Sequence, residues 1–295
     1  MLNKLVTCIY NGLNHTKLCG RLNRDRPYSY SLKTIVNSGT DITCYTSPEE
    51  INKFKTEFTE LNINFIPKSL YELYFHEEVN NIRDLYSDLY RTSPDWRDRC
   101  MEIMWGKFIF MKETIKLNPN IENIFWIDAG ISHSGIIHSR FNSNFEHNLN
   151  FIHDLNKETY PLTFKNDLIF NKNFMDNLIN YTGDNILNIV SINPQHPIAH
   201  TSIHKNFKGS VIGGIFGGHV SLIDSYCDRI IELFEFFLKE KKLYKEEQLM
   251  TYILSEETFP IKIFSFNTWY HADWGDNRFN SSQISFCDFF DEIKK

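Results

Sequence analysis

From residue 5 to residue 130, segments that read as buried strands alternate with segments that read as helices. A chain with that order can bury its strands only by laying them into a largely parallel sheet and covering both faces with the intervening helices. LVTCIY (5–10) is the expected first strand, and YSYSLKTIVNSG has apolar positions that fit a helix ended by Gly39. DITCYT is the second strand. Ser47-Pro48-Glu49-Glu50 combines an N-cap residue, a first-turn proline and a capping-box carboxylate, and predicts a helix start. NINFIP (62–67) is the third strand, followed by a helical stretch over about 71–90. Ser93-Pro94-Asp95 opens a long helix to about Leu117, with Met101, Met104, Trp105, Phe108, Met111 and Ile115 at helical spacing. It leads into IENIFWIDAG, an apolar strand that stops on an acid.

Between Ile131 and about Gly183 the periodicity is lost, and no element is assigned there. ILNIVSI (186–192) is again a strand, and GSVIGGIFGGH reads as a strand interrupted by glycines. Helices over about 220–241 and 245–255 and a last strand, FPIKIFSF, follow. With no repeat and no Pro/Gly-rich hinge, the 295 residues are expected to form a single α/β domain around a mixed, mostly parallel sheet.

Apolar residues at 42% provide for a core, and 31 basic against 37 acidic residues leave a net charge of −6. That balance disfavours nucleic acid as a partner. No window is long and apolar enough for a membrane span, and no targeting signal is evident. The six cysteines stand singly, as expected of thiols in a reducing compartment, so a cytoplasmic location and no structural zinc site are expected.

Asp128 is the sharpest candidate for chemistry. A carboxylate at the C-terminal end of a central strand lies where ligands bind in open α/β sheets, although an aspartate there also serves as an ordinary turn cap. The paired glycines of Val211-Ile212-Gly213-Gly214-Ile215-Phe216-Gly217-Gly218 have the wrong spacing for a dinucleotide fingerprint. They indicate either close approach by a ligand or another backbone, or a bulge. Arg21, Arg24 and Arg26 form a basic cluster that suits a diphosphate or a solvated loop equally. His196, His200 and His204 are spaced by four, but Pro194 and Pro197 argue against one continuous helix. No GxSxG elbow or GxxxxGK[ST] loop is present.

VTCIYN, MWGKF, FWIDAG, GGIFGG and EEQLMTYI, in that order, resemble glycosyltransferases of the GT-A class, and more narrowly the HtrL/YibB-like group of glycosyltransferases. The resemblance implies a GT-A-like domain whose residues 1–130 hold a nucleotide-sugar donor, UDP-linked by preference, and whose residues 131–295 hold a glycan or protein acceptor. It implies that Thr7, Ile9, Tyr10 and Tyr45 lie near the nucleotide base, that Trp105 and Lys107 reach the donor sugar or phosphates, and that Gly213 and Gly214 face the donor. Glu247 becomes the acceptor base, with Glu246 turned away round the helix as a bystander. The class usually places Asp-x-Asp at the strand end to bind the diphosphate through Mn²⁺ or Mg²⁺. Here Asp128 keeps the first acid, but Gly130 stands at the second, which leaves a metal requirement open. His271, with Asp273 beside it, is the implied complementary ligand. A solvated Lys107 would be replaceable by alanine without cost to the fold. The rival readings are a catalytically inactive glycan-binding or structural protein of this fold, and a sugar nucleotidyltransferase.

Overall fold

The structure is a computed structural model that describes residues 2–10, 32, 35–36, 38–59, 62–85, 100–129, 172–191, 210–256 and 258–266. Arg21, Arg24, Arg26, Gly130, His196, His200, His204, His271 and Asp273 lie outside the described residues.

Seven strands form one mixed sheet: β1 (Leu2–Ile9), β2 (Asp41–Thr46), β3 (Ile63–Pro67), β4 (Ile121–Ile127), β5 (Ile186–Ser191), β6 (Ser210–His219) and β7 (Ile261–Phe266). Their order is β3-β2-β1-β4-β6-β5-β7. β3, β2, β1 and β4 run parallel. β6 is antiparallel to both its neighbours, β4 and β5, and β5 pairs parallel with β7. This is the expected mixed, mostly parallel α/β architecture. The described helices are α1 (Ile51–Glu57), α2 (His76–Leu85), α3 (Cys100–Leu117), α4 (Phe174–Thr182), α5 (Val220–Lys239) and α6 (Glu246–Glu256). None is long and apolar enough to cross a membrane.

The second half of β4, Ile124 to Ile127, is apolar because both of its faces are covered. Successive strand residues point to opposite sides. Ile124 and Trp126 therefore join the core beneath α3, α5 and α6, while Phe125 and Ile127 join Phe174, Met175 and Leu178 of α4 on the other face. A third cluster packs Phe54 of α1 and Phe58, its C-cap, against Ile9, Cys44 and Phe65. α5 buries Ile223, Tyr226, Cys227, Ile230, Leu233, Phe234 and Leu238, a stripe at helical spacing.

Two helix boundaries differ from expectation. Ser47 to Glu50 form a turn closed by the Ser47 hydroxyl on Glu50 Oε2 (3.2 Å), so α1 begins only at Ile51. The working capping box is Ser69 with Glu72, which caps the short 3₁₀ turn Leu70–Glu72 and splits the stretch read as one helix over 71–90. Gly39 does end its helical turn, at φ +66°, a region favourable to glycine.

In β6 both glycine readings hold. Asn188 pairs with Phe216 but Ile189 pairs with Ile212, so residues 213–215 bulge out of the β5 ladder. Gly217 faces Phe125 of β4, and a Cβ there would run into that ring and lie 2.5 Å from the Ile124 carbonyl oxygen.

Candidate active site

β4 delivers Asp128 to the sheet edge with its backbone fixed, because the Asp128 N–H donates to the Gly214 carbonyl at 2.8 Å. Two residues back, on the same side of the strand, buried Trp126 donates its indole N–H to Asp128 Oδ1 at 2.7 Å. The Asp128 side chain is nevertheless 43% exposed. It is a held carboxylate that still faces solvent.

Beneath it lies Lys107 of α3, whose side chain is 3% exposed. Its Nζ is 2.9 Å from the Gly213 carbonyl oxygen, 3.0 Å from Glu246 Oε1 and 3.5 Å from Asp128 Oδ1. An ammonium has three donors, so these contacts commit all of them. The charge also lies 5.5 Å from the centre of the Trp126 ring. Burial alone would pull the lysine pKa down, but the Asp128 and Glu246 carboxylates outweigh it and hold Lys107 above its ordinary range. Lys107 is therefore a fixed internal cation, neither the solvated lysine of the plain helix reading nor a free hand for donor phosphates.

The bulge in β6 makes this possible. It releases the Gly213 backbone from the ladder, and side chains take both of its polar groups: Lys107 binds the carbonyl and Glu247 Oε1 accepts the N–H at 3.1 Å. A Cβ on Gly213 would lie 2.9 Å from Glu246 Oε1 and 3.1 Å from Lys107 Nζ. The residue faces protein side chains where the resemblance implied a donor, and Gly214 is occupied by the Asp128 N–H.

Glu246 and Glu247 open α6, where acidic residues favour the helix dipole. The helix is seated on β6 by the Val211 N–H, which donates to Thr251 Oγ1 at 3.0 Å, while that hydroxyl donates to the Glu247 carbonyl. Glu246 is not a bystander. Its side chain is 5% exposed, and while Oε1 meets Lys107, Oε2 is buried with no hydrogen-bond partner among the described residues. Burial and the neighbouring Glu246 charge push the Glu247 carboxyl up to about 8, opposed more weakly by the Gly213 N–H, Lys245 and Lys107. Glu247 therefore holds a proton at neutral pH and gives it up just above.

The remaining sequence candidates do not join this cluster as ligand-facing groups. Trp105 is buried, stacks on Phe234 with ring centres 3.9 Å apart and donates its indole N–H to the Tyr244 carbonyl, so it is core that ties α3 to the approach of α6. Tyr45 is buried against Phe110 and bonds Thr114 through its hydroxyl, which leaves no face for a base. Thr7 and Ile9 are buried as well. Of these strand-end residues only Tyr10 keeps a partly exposed ring, with its hydroxyl donating to the Lys68 carbonyl. Cys8, near the cluster, has a buried thiol pushed up by burial and by the Asp128 charge, the wrong direction for a nucleophile.

The described residues do not by themselves compose a Mn²⁺ or Mg²⁺ site. Such ions want several oxygen ligands. Asp128 has one oxygen engaged by Trp126 with the Lys107 ammonium 3.5 Å from it, and no group of three or more His, Cys, Asp or Glu that could hold a metal occurs among the described residues.

No family model and no curated protein matches the chain. Among solved structures it is similar to the crystal structure of 4-diphosphocytidyl-2C-methyl-D-erythritol synthase from Anaerococcus prevotii, at 11% identity and a TM-score of 0.43, over 90% of this chain and 86% of that one. A likeness at that level assigns no residue a role.

Proposed function

We propose that the chain is a glycosyltransferase that moves a sugar from a nucleotide-diphosphate donor, UDP-linked by preference, to a hydroxyl of a glycan or protein acceptor. The observation that carries this reading is the pairing of a solvent-facing, rigidly held Asp128 with a Glu247 carboxyl whose proton is labile near pH 8, the two joined through Lys107 and Gly213. Its place at the end of a central strand and the resemblance of its motifs to the HtrL/YibB-like group support the same class. On this reading residues 1–130 hold the donor and residues 131–295 the acceptor.

In the reaction the acceptor oxygen forms a bond to the sugar C1 and passes its proton to the Glu247 carboxylate, while the bond from C1 to the diphosphate oxygen breaks and the nucleoside diphosphate leaves with the electron pair. Glu247 must be ionised to act, so turnover should rise with pH through a midpoint of about 8. Asp128 orients the donor side of the site, and Lys107, with its donors committed, steadies Asp128. The Arg21, Arg24 and Arg26 cluster would offset the charge of the leaving diphosphate, or, if a divalent cation is used, Asp128 and His271 would be its ligands and it would supply that positive charge.

The test is release of free nucleotide from a panel of UDP- and GDP-sugars, with and without Mn²⁺. Slow donor hydrolysis that Asp128→Asn abolishes is the expected result. No hydrolysis of any donor refutes the reading, and stabilisation by nucleotide without turnover would favour the inactive glycan-binding protein.

A further inference from the structure

Resting on the reading of Glu247 as the acceptor base, we propose that Glu246 is a positioning residue of the same site: its buried carboxylate pins Lys107 between Gly213 and Asp128, and its charge sets when Glu247 releases its proton. The geometry comes first. Glu246 Oε1 and the Gly213 carbonyl hold Nζ at 3.0 and 2.9 Å, and the same ammonium reaches Asp128 at 3.5 Å. Gly213 passes the connection to Glu247 through its N–H. One side chain at the start of α6 thus links the solvent-facing acid at the end of β4 to the base next to it on α6. Its second oxygen, buried and unpartnered among the described residues, is a cost that packing alone does not explain.

The charges acting on Glu247 come from each side. Its own helix supplies Glu246 and Lys245, α3 supplies Lys107, and β6 supplies the Gly213 N–H. α5, which also packs on α6, supplies no charge among these. Of the charged groups, Glu246 acts most strongly and is the one that favours the protonated form. Removing its charge while keeping its shape must therefore lower the Glu247 midpoint, and the surviving Lys107 cation acts in the same direction.

The experiment follows the carboxyl titration of Glu247 by NMR in the full chain labelled with ¹³C-glutamate, the resonance being assigned by its absence in Glu247→Gln. In Glu246→Gln the midpoint should fall from about 8 by about one pH unit or more, and the rise of donor turnover with pH should move down by the same amount. Glu246→Asp keeps the charge and should keep the midpoint high. If Glu246→Gln does not fold, the Lys107→Gln/Glu246→Gln pair leaves no lone buried charge, and its midpoint should still fall, by less. An unmoved midpoint in whichever variant folds overturns the proposal, as does an equal fall in Glu246→Asp. A shifted titration in a protein that turns over no donor would instead sink the glycosyltransferase reading and leave the coupling intact.

Discussion

Replacing Lys107 with methionine separates a buried cation from a solvated one. Methionine keeps most of the length and apolar stem of lysine but removes the charge and all three donors. Glu246, 5% exposed, then loses the Lys107 bond to its Oε1 while its Oε2 already has no partner among the described residues, and the Gly213 carbonyl loses its 2.9 Å bond. Asp128, at 43% exposure, can turn to water and adds little. Breaking one side of a buried pair costs about 3–5 kcal/mol because the remaining charge stays in the interior. In a domain of this size that lowers the midpoint of thermal unfolding by on the order of 10 °C. Urea unfolding followed by tryptophan fluorescence measures it, with Trp126 as a reporter 5.5 Å from the substituted group. Glu246→Gln added to Lys107→Met should recover most of the loss, since two neutral groups of similar volume replace a pair. A loss below about 1 kcal/mol in the single variant, or no recovery in the double variant, would refute the internal ion pair and return Lys107 to the solvated helix face.

Glu247→Gln should lower turnover by about 10²- to 10⁴-fold with donor affinity nearly unchanged, measured by steady-state kinetics and nucleotide titration. The same carboxyl makes stability pH-dependent: its folded pKa of about 8 lies above the ordinary value of 4.5, so the folded state binds the proton more tightly. Its contribution is fully present below about pH 4.5 and is lost as pH rises towards 8, so wild type minus Glu247→Gln, compared by urea unfolding across that window, should fall by a few kcal/mol; a flat difference refutes it. Gly217→Ala should destabilise by about 1–3 kcal/mol, because its methyl meets the Phe125 ring and the Ile124 carbonyl of the paired strand. Lys241, at φ +55° just past α5, occupies a position that glycine takes without strain, and Lys241→Gly should stabilise by about 0.5–1 kcal/mol in the same unfolding assay.

Strands and long helices were legible wherever one signal dominated. Ile124 to Ile127 of β4 are apolar on both faces because helices cover both faces, and the α5 stripe repeats at helical spacing. Asp128 was legible as a strand-end acid because position alone marks it. What the sequence could not show is that Lys107 falls on a helix buried nearly all round: periodicity separates apolar from polar faces, and α3 has scarcely any polar face here, with residues 105–108 all buried. Only the tertiary arrangement brings Glu246 to meet it across 139 residues. The signal that could have found the pair is the lysine itself, since a cation between Trp105 and Phe108 in an apolar run requires a buried acid elsewhere. Tyr45 and Trp105 were misread for the opposite reason: aromatic residues at strand ends and on helices are core far more often than ligand platforms, and each here has a hydrogen-bond partner inside the protein.

The composition of the cluster bears on whether this strand end is the working part of the protein. An interior selected for stability alone would replace Lys107 and Glu246 by apolar residues of similar volume, since a buried pair contributes little beyond what it costs to desolvate. Here the pair is kept, a carboxylate oxygen is left without a partner among the described residues, a glycine bulge interrupts the sheet to make room, and an adjacent glutamate holds its proton against its ordinary tendency. Each of these features works against stability, and all of them meet at Gly213, two contacts from the solvent-facing Asp128 through Lys107. A carboxyl that keeps its proton at neutral pH, held beside a fixed cation in a cluster that reaches solvent, is what proton-transfer chemistry requires. The ion-pair test on Lys107 and the titration of Glu247 examine the two halves of that argument independently, because the first reads only stability and the second only proton release.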